Sequence, residues 1–208
     1  MWNFIVKGGV VMAPIILGSI FGLAIILEKI WFFRRIKIDV VKFAEEVFAD
    51  VKAHKIPRAI WLCDKNSEFP LAAVFKAGLE KAALPPDRLE KVLEQAGANQ
   101  VQRLEKRLGA LASITGISPL LGFLGTITGL IKAFMTWEQA GANITVSALA
   151  LGIYEAMITT AAGLMVAIPC YLFYNYFISR IKYLSGELND YAFQLVEVIR
   201  ENREDGKA

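Results

Sequence analysis

The chain has 208 residues, 55% hydrophobic and 21% charged, with a net charge of +3 at neutral pH. That is too apolar for an ordinary soluble domain and too charged to lie wholly in a bilayer, so the composition describes a membrane protein with a sizeable polar part. The near-balanced charge implies no nucleic-acid partner. One histidine, His54, and two distant cysteines, Cys63 and Cys170, give neither a metal site of the usual ligand spacing nor an expected disulfide. No nucleophile elbow, phosphate-cradling loop or other catalytic constellation is present, and no cofactor is implied.

Residues 1–9 are a short leader with one charge, Lys7, expected to lie on the periplasmic side. Residues 10–33 read as the first transmembrane helix. An uncharged run over 10–27 is extended past Glu28 and Lys29 by a second apolar stretch, and it ends in Trp31-Phe32-Phe33-Arg34-Arg35, an aromatic belt before a basic stop. A signal peptide has a shorter apolar part and a small-residue cleavage site. Arg34, Arg35 and Lys37 place that end in the cytoplasm by the positive-inside rule. Pro14 either kinks the first turns or marks the helix start. Glu28 and Lys29, near the cytoplasmic end, are expected to snorkel to the interface.

Residues 34–107 carry fifteen Lys/Arg and eleven Asp/Glu, as a cytoplasmic helical domain should. Val40, Phe43, Val47 and Val51 recur at helical spacing. Pro57 starts a second short helix with Ile60, Trp61 and Leu62, and Pro70 a third with Leu71, Val74, Phe75 and Leu79. After Pro85-Pro86, Asp87 signals the start of a long helix in which Val101, Leu104, Leu108 and Leu111 step by three and four. No strand signal occurs. The predicted class is an all-α membrane protein: three transmembrane helices with long cytoplasmic extensions and a small cytoplasmic helical bundle.

The second transmembrane helix is placed at 108–135, entering from the cytoplasm behind Arg103, Lys106 and Arg107. It is rich in small and hydroxyl residues, among them Gly122, Thr126 and Thr128. Gly125 and Gly129 form a GxxxG pair suited to close helix packing. Pro119 frees a backbone carbonyl inside the span. Lys132 and Glu138 fall at its outer end. A short periplasmic loop, 136–146, leads into the third span at 147–179. There Ala148, Gly152, Ala156 and Thr160 form a small-residue row at spacing four, and Pro169 is expected to bend the helix. Arg180 and Lys182 stop the span. The cytoplasmic tail, 180–208, continues in helical register through Ile181, Leu184, Leu188, Tyr191, Leu195 and Val198, a seam for other cytoplasmic helices or neighbouring subunits.

Between Glu138 and Arg180 the only charged residue is Glu155. A carboxylate inside a membrane helix is expensive and marks a functional site by default, the alternative being a snorkelling or neutral residue that is merely tolerated. At ~1.5 Å per residue, Thr126 and Thr160 lie roughly 16–20 Å from the outer end and Glu155 ~12 Å. A carboxylate and hydroxyls from two antiparallel helices thus share one layer. Thr159 shares a face with Glu155, whereas Thr160 is rotated about 140° from it, so one of the two faces a pore and the other a neighbouring helix. No Asp occurs in any span, so a relay needing a second carboxylate must draw it from a partner. Thr159 and Thr128 add hydroxyl oxygens that suit a desolvated Na⁺; bonding to backbone within the helix is the other reading of them.

Two segments resemble the MotA/TolQ/ExbB proton channel family, in particular its three-span ExbB/TolQ members. Gly122-Phe123-Leu124-Gly125-Thr126-Ile127-Thr128-Gly129 is similar to the family's G-L-F-G-T-V-x-G. Gly152-Ile153-Tyr154-Glu155-Ala156 through Thr160-Ala161-Ala162-Gly163-Leu164, with Ala167-Ile168-Pro169 and Tyr174-Asn175 behind, is similar to G-I-x-E-A-L-x-x-T-A-x-G-L…A-I-P…Y-N. The resemblance implies that Thr126 and Thr160 are the pore threonines and Glu155 the family's third-helix acid. It also implies a homo-oligomer, a pentamer, around an ExbD/TolR-like single-span partner whose transmembrane Asp takes the proton, with TonB-like or Tol–Pal components driven beyond it. MotA-type chains have four spans, from which this chain departs. The expected ion pathway is Thr126, Glu155, Thr160 and Thr159, and the expected helix-packing residues are Gly125, Gly129, Gly152 and Ala156. The expected setting is the lipid of a bacterial inner membrane, with proton as the ion. The rivals are a sodium-driven stator, a structural membrane scaffold, an independent channel and, weakest, a membrane enzyme.

Overall fold

The computed structural model describes residues 8–35, 40–140 and 146–205. The leader over 1–7, Lys37 in the basic stop, the centre of the predicted loop at 141–145, the Ala148 side chain and the last three residues of the tail lie outside the described residues. The described chain is helical: α1 (Met12–Arg35), α2 (Val40–Lys52), α3 (Ile56–Lys65), α4 (Pro70–Leu79), α5 (Pro86–Glu105), α6 (Leu108–Ala140) and α7 (Val146–Asp205). Two compact units divide it. One takes the stretch up to Ile30 with Arg107–Phe177, the other Trp31–Lys106 with Ile178 onward.

The first unit holds the three long apolar helices, each long and apolar enough to cross a membrane. Pro14 sits in the first turn of α1, where its missing N–H breaks no hydrogen bond, so it marks the helix start. Most large apolar side chains of this unit stay exposed, among them Leu17, Phe21, Leu120, Phe123, Met157 and Leu172. Such a surface is unfavourable in water and suited to lipid. Buried in it are a few large side chains, among them Ile15, Leu111 and Phe177, and a set of small ones. Gly18 of α1 lies near Ser118 and Ile114 of α6, and Gly22 has space only for its own backbone beside Cys170 of α7.

Near the far end of α1, Glu28 forms an ion pair with Arg107. Lys29 is only 5% exposed. It does not snorkel as expected, because its helical position turns it into the packed side of α1. Arg107 also overturns the reading of one helical register from Val101 to Leu111. Lys106 has an extended backbone (φ −49°, ψ 132°) and Arg107 a left-handed one (φ 71°), so α5 ends at Glu105 and α6 starts afresh at Leu108.

The second unit is a small helical bundle. Prolines open three of its helices at positions where an N–H would be unpaired anyway: Pro57 in α3, Pro70 in α4 and Pro86 in α5. His54 takes a left-handed conformation (φ 56°) at the turn from α2 to α3. The core joins Phe43, Val47 and Val51 of α2, Leu71, Val74, Phe75 and Leu79 of α4, Leu89 and Leu93 of α5, and Leu188, Leu195 and Val198 of α7. Phe43 packs edge-on against Phe69 at 5.6 Å and stacks on Phe75 at 6.0 Å. At Gly78 a Cβ would stand 2.6 Å from Leu93 and 3.3 Å from Leu195, so glycine is what lets α4 approach α5 and α7. The seam of α7 therefore packs on the helices of its own unit. Trp61, in contrast, is 60% exposed; α3 buries Ala59 and Cys63 instead. Burial pushes the Cys63 thiol from 9.0 to about 12, with the neighbouring Asp64 adding to the effect.

Candidate functional site

Helices α6 and α7 run antiparallel, and their contact is built from backbone and the smallest side chains. A Cβ on Gly129 would lie 2.8 Å from the Gly152 carbonyl and 3.0 Å from the Ala156 Cβ; one on Gly152 would lie 2.7 Å from the Ala133 Cβ. One turn deeper, Gly125 meets the Thr159 side chain. Gly122 stands with its Cβ position 3.0 Å from the Thr159 carbonyl and the Thr160 Cα, and Gly163 closes on the Ser118 carbonyl. The α6 row is thus 118, 122, 125, 129 and 133, at steps of four and three, the spacing that keeps residues on one helix face. Gly125, Gly129, Gly152 and Ala156 all lie in this contact. Sequence reasoning did not single out Ser118, Ala133 and Gly163 as its continuation; extending the step from Gly129 in both directions finds the first two.

Two of the hydroxyls, those of Thr159 and Thr160, sit inside this contact. Thr160 donates from Oγ1 to the Gly122 carbonyl across the helices at 3.0 Å. Thr159 is fully buried and donates to carbonyls of its own helix, Ala156 at 2.8 Å and Glu155 at 3.2 Å. Thr126 donates to Phe123 at 2.6 Å and Thr128 to Gly125 at 3.1 Å, again within one helix. Every hydroxyl of the layer is therefore satisfied by backbone. Thr160 faces α6. Thr126 makes no hydrogen bond to Thr159, Thr160 or Glu155.

Glu155 is held differently. Its Oε1 lies 2.6 Å from the Lys132 ammonium. The carboxylate side chain is 20% exposed and the lysine 56%. The same oxygen presses on Gly9, whose φ of +68° and lack of Cβ admit it. Lys132 is the residue that sequence reasoning missed: it read as an outer-end charge. The observed helix ends bring the two level, since Lys132 lies eight residues before the end of α6 and Glu155 nine after the start of α7. At ~1.5 Å per residue those depths are about 12 and 14 Å.

Fold and site together define a class: a helical membrane-type protein in which two antiparallel apolar helices share a glycine-lined contact holding a carboxylate and a layer of hydroxyls. The MotA/TolQ/ExbB proton channel family matches over residues 66–190, more than half of the chain, and the chain belongs to that family. Among its relatives, an ExbB-like biopolymer transport protein of Synechocystis sp. is 33% identical over 83% of this chain and 68% of its own length. A second from the same organism is 31% identical over 82% and 81%. The Tol-Pal system protein TolQ of Pseudomonas aeruginosa is 25% identical over 96% of this chain and 92% of its own length.

Proposed function

We propose that the chain is the proton-channel subunit of an ion-driven energy-transducing complex in a bacterial inner membrane. It works as a homo-oligomer, a pentamer by family resemblance, with an ExbD/TolR-like single-span partner. The three long apolar helices cross the bilayer with the N-terminus periplasmic; the second unit and the end of α7 are cytoplasmic. Thr126, Glu155, Thr159 and Thr160 line or support the path, and the partner's transmembrane Asp carries the proton. Work is delivered beyond the membrane through a TonB-like or Tol–Pal system. Each charge that crosses releases ~2.3 kcal/mol per 100 mV of membrane potential, and the chain performs no covalent chemistry.

The observation that carries this reading is Glu155. It is the one carboxylate between Glu138 and Arg180, set beside the α6–α7 hydroxyl layer, in a chain with no Asp in its long apolar stretches. The Thr128 and Thr159 hydroxyls donate to carbonyls of their own helices, and the assignment of proton leans on the family. A scaffold reading draws on the same bonds, because they serve packing as well as passage. The test is proton uptake by vesicles holding the complex purified from its own membrane, driven by an imposed potential and read with a pH dye. Glu155→Ala and Thr160→Ala are expected to abolish uptake while the complex still elutes intact. Uptake unchanged in both, or lost only with assembly, supports the scaffold. Flux that follows a sodium gradient and survives a proton uncoupler overturns the proton assignment.

A further inference from the structure

We propose that a cavity in the second unit, between the end of α1, the start of α4 and the end of α5, binds the phosphate headgroup of an anionic phospholipid. The cavity holds about 370 Å³ and is lined by residues of that unit alone. Leu104 and Pro70, both buried, give it an apolar part. Trp31 and Phe32, the aromatic pair at the end of the first apolar run, form another side, with Trp31 64% exposed. Arg103 and Lys106 bring two cations, Glu68 the one carboxylate and Gln100 an amide.

The two cations stand apart from others in the unit. Lys76 pairs with Asp64, Arg58 with Asp50 and Lys52 with Glu201. Among the described residues, no carboxylate lies within ion-pair distance of Arg103 or Lys106; Arg103 reaches only the Gln100 side-chain oxygen, at 3.5 Å. The extended backbone that ends α5 takes Lys106 out of the helical register of Arg103, yet both line the one cavity. A guanidinium offers a planar fork of donors that matches phosphate, and an ammonium adds a point charge. The inference rests on the proposed topology for what the cavity faces, because Trp31 to Arg35 then mark the edge of the bilayer. Aromatic side chains at that edge sit at the level of the headgroups, so a phosphate at this depth belongs to lipid. The apolar and aromatic walls suit the glycerol and first methylenes of a lipid and offer nothing to a free phosphate. Two cations against one carboxylate favour a headgroup of net negative charge over a zwitterionic one.

The test is a titration of phosphatidylglycerol into the complex purified in detergent, with bound lipid counted by native mass spectrometry. The wild type is expected to hold phosphatidylglycerol more tightly than phosphatidylcholine. Arg103→Gln and Lys106→Gln should each weaken phosphatidylglycerol binding about fivefold, the effect of one cation near an anionic lipid surface. Arg180→Gln removes a cation just past the third apolar run, outside the cavity, and should leave binding unchanged. Glu68→Gln should strengthen it. Glycerol phosphate, which carries the phosphate without acyl chains, should not displace the lipid at equal concentration; displacement overturns the lipid assignment in favour of a soluble phosphate ester. Equal binding of the two lipids overturns the inference, as do Arg103→Gln and Lys106→Gln complexes that bind no worse than Arg180→Gln. If the cavity variants do not assemble, the comparison of the two lipids on the wild type still decides. The titration reads no ion flow. A complex that selects phosphatidylglycerol but takes up no protons refutes the proposed function alone, and one that takes up protons without selecting the lipid refutes this inference alone.

Discussion

Gly152→Ala and Gly186→Ala add the same methyl group to the same helix at two sites with opposite surroundings. At Gly152 the new carbon would stand 2.7 Å from the Ala133 Cβ, 2.8 Å from the Gly129 carbonyl oxygen and 3.1 Å from the Ala133 nitrogen. Carbon atoms pack best at ~3.5–4.0 Å, so the nearest contacts are about 1 Å too short. None of the three atoms belongs to a side chain that can rotate away, so α6 and α7 must move apart and loosen the whole row of contacts. Overpacking of this kind costs about 1–3 kcal/mol. Alanine in a helix interior offsets about 1 kcal/mol of that. The net expectation is a loss of up to about 2 kcal/mol. At Gly186 nothing lies within 4 Å, so the helix gain stands alone and the variant should be more stable by up to about 1 kcal/mol. Thermal unfolding in detergent, at roughly 2–4 °C per kcal/mol for a chain of this size, separates the two variants by their sign. A Gly152→Ala protein that melts at or above the wild type refutes the close-contact argument.

Thr160→Val removes the bond to the Gly122 carbonyl while keeping shape. That carbonyl also accepts the helical N–H of Thr126, so it is not left unpaired. The expected loss is about 0.5–1.5 kcal/mol in the same melt, with Thr160→Ser close to wild type; an unchanged Thr160→Val melt contradicts the bond. Cys63, pushed to about 12, should react with a thiol dye at mild alkaline pH on the order of a thousandfold more slowly in the folded chain than in urea. The same shift fixes a pH dependence. The native thiol stays protonated where the unfolded one, near 9.0, already ionises, so the stabilisation is whole below pH 9.0 and is lost as pH rises toward about 12. Rapid labelling of the native chain, or a flat alkaline stability profile, contradicts the buried thiol.

The long helices were legible because an uninterrupted apolar run of this length matches the hydrocarbon thickness, and in lipid a single run must satisfy its own backbone as a helix. The α4 core positions were legible too: Leu71, Val74, Phe75 and Leu79 repeat at three and four and all are buried. On α3 the pattern misled. Ile60, Trp61 and Leu62 point in three directions, and burial followed the small residues Ala59 and Cys63, which leave room for neighbours. The break at Lys106-Arg107 left no mark, since left-handed backbone is ordinarily announced by Gly or Asn and here falls on Arg. Lys132 and Glu155 are 23 positions apart, and their pairing depends on where the turn between α6 and α7 falls, which local periodicity does not report.

Helix α7 runs 60 residues from Val146 to Asp205, about 90 Å at 1.5 Å per residue, three times the hydrocarbon thickness. A helix is stiff against twisting. A rotation that swings Glu155 or Thr160 must therefore reappear at Leu195, which is fully buried, or be taken up between them. Pro169 is the point of greatest compliance in that interval. It donates no N–H and leaves the Met165 carbonyl without its helical bond, so the torsional spring is softest there.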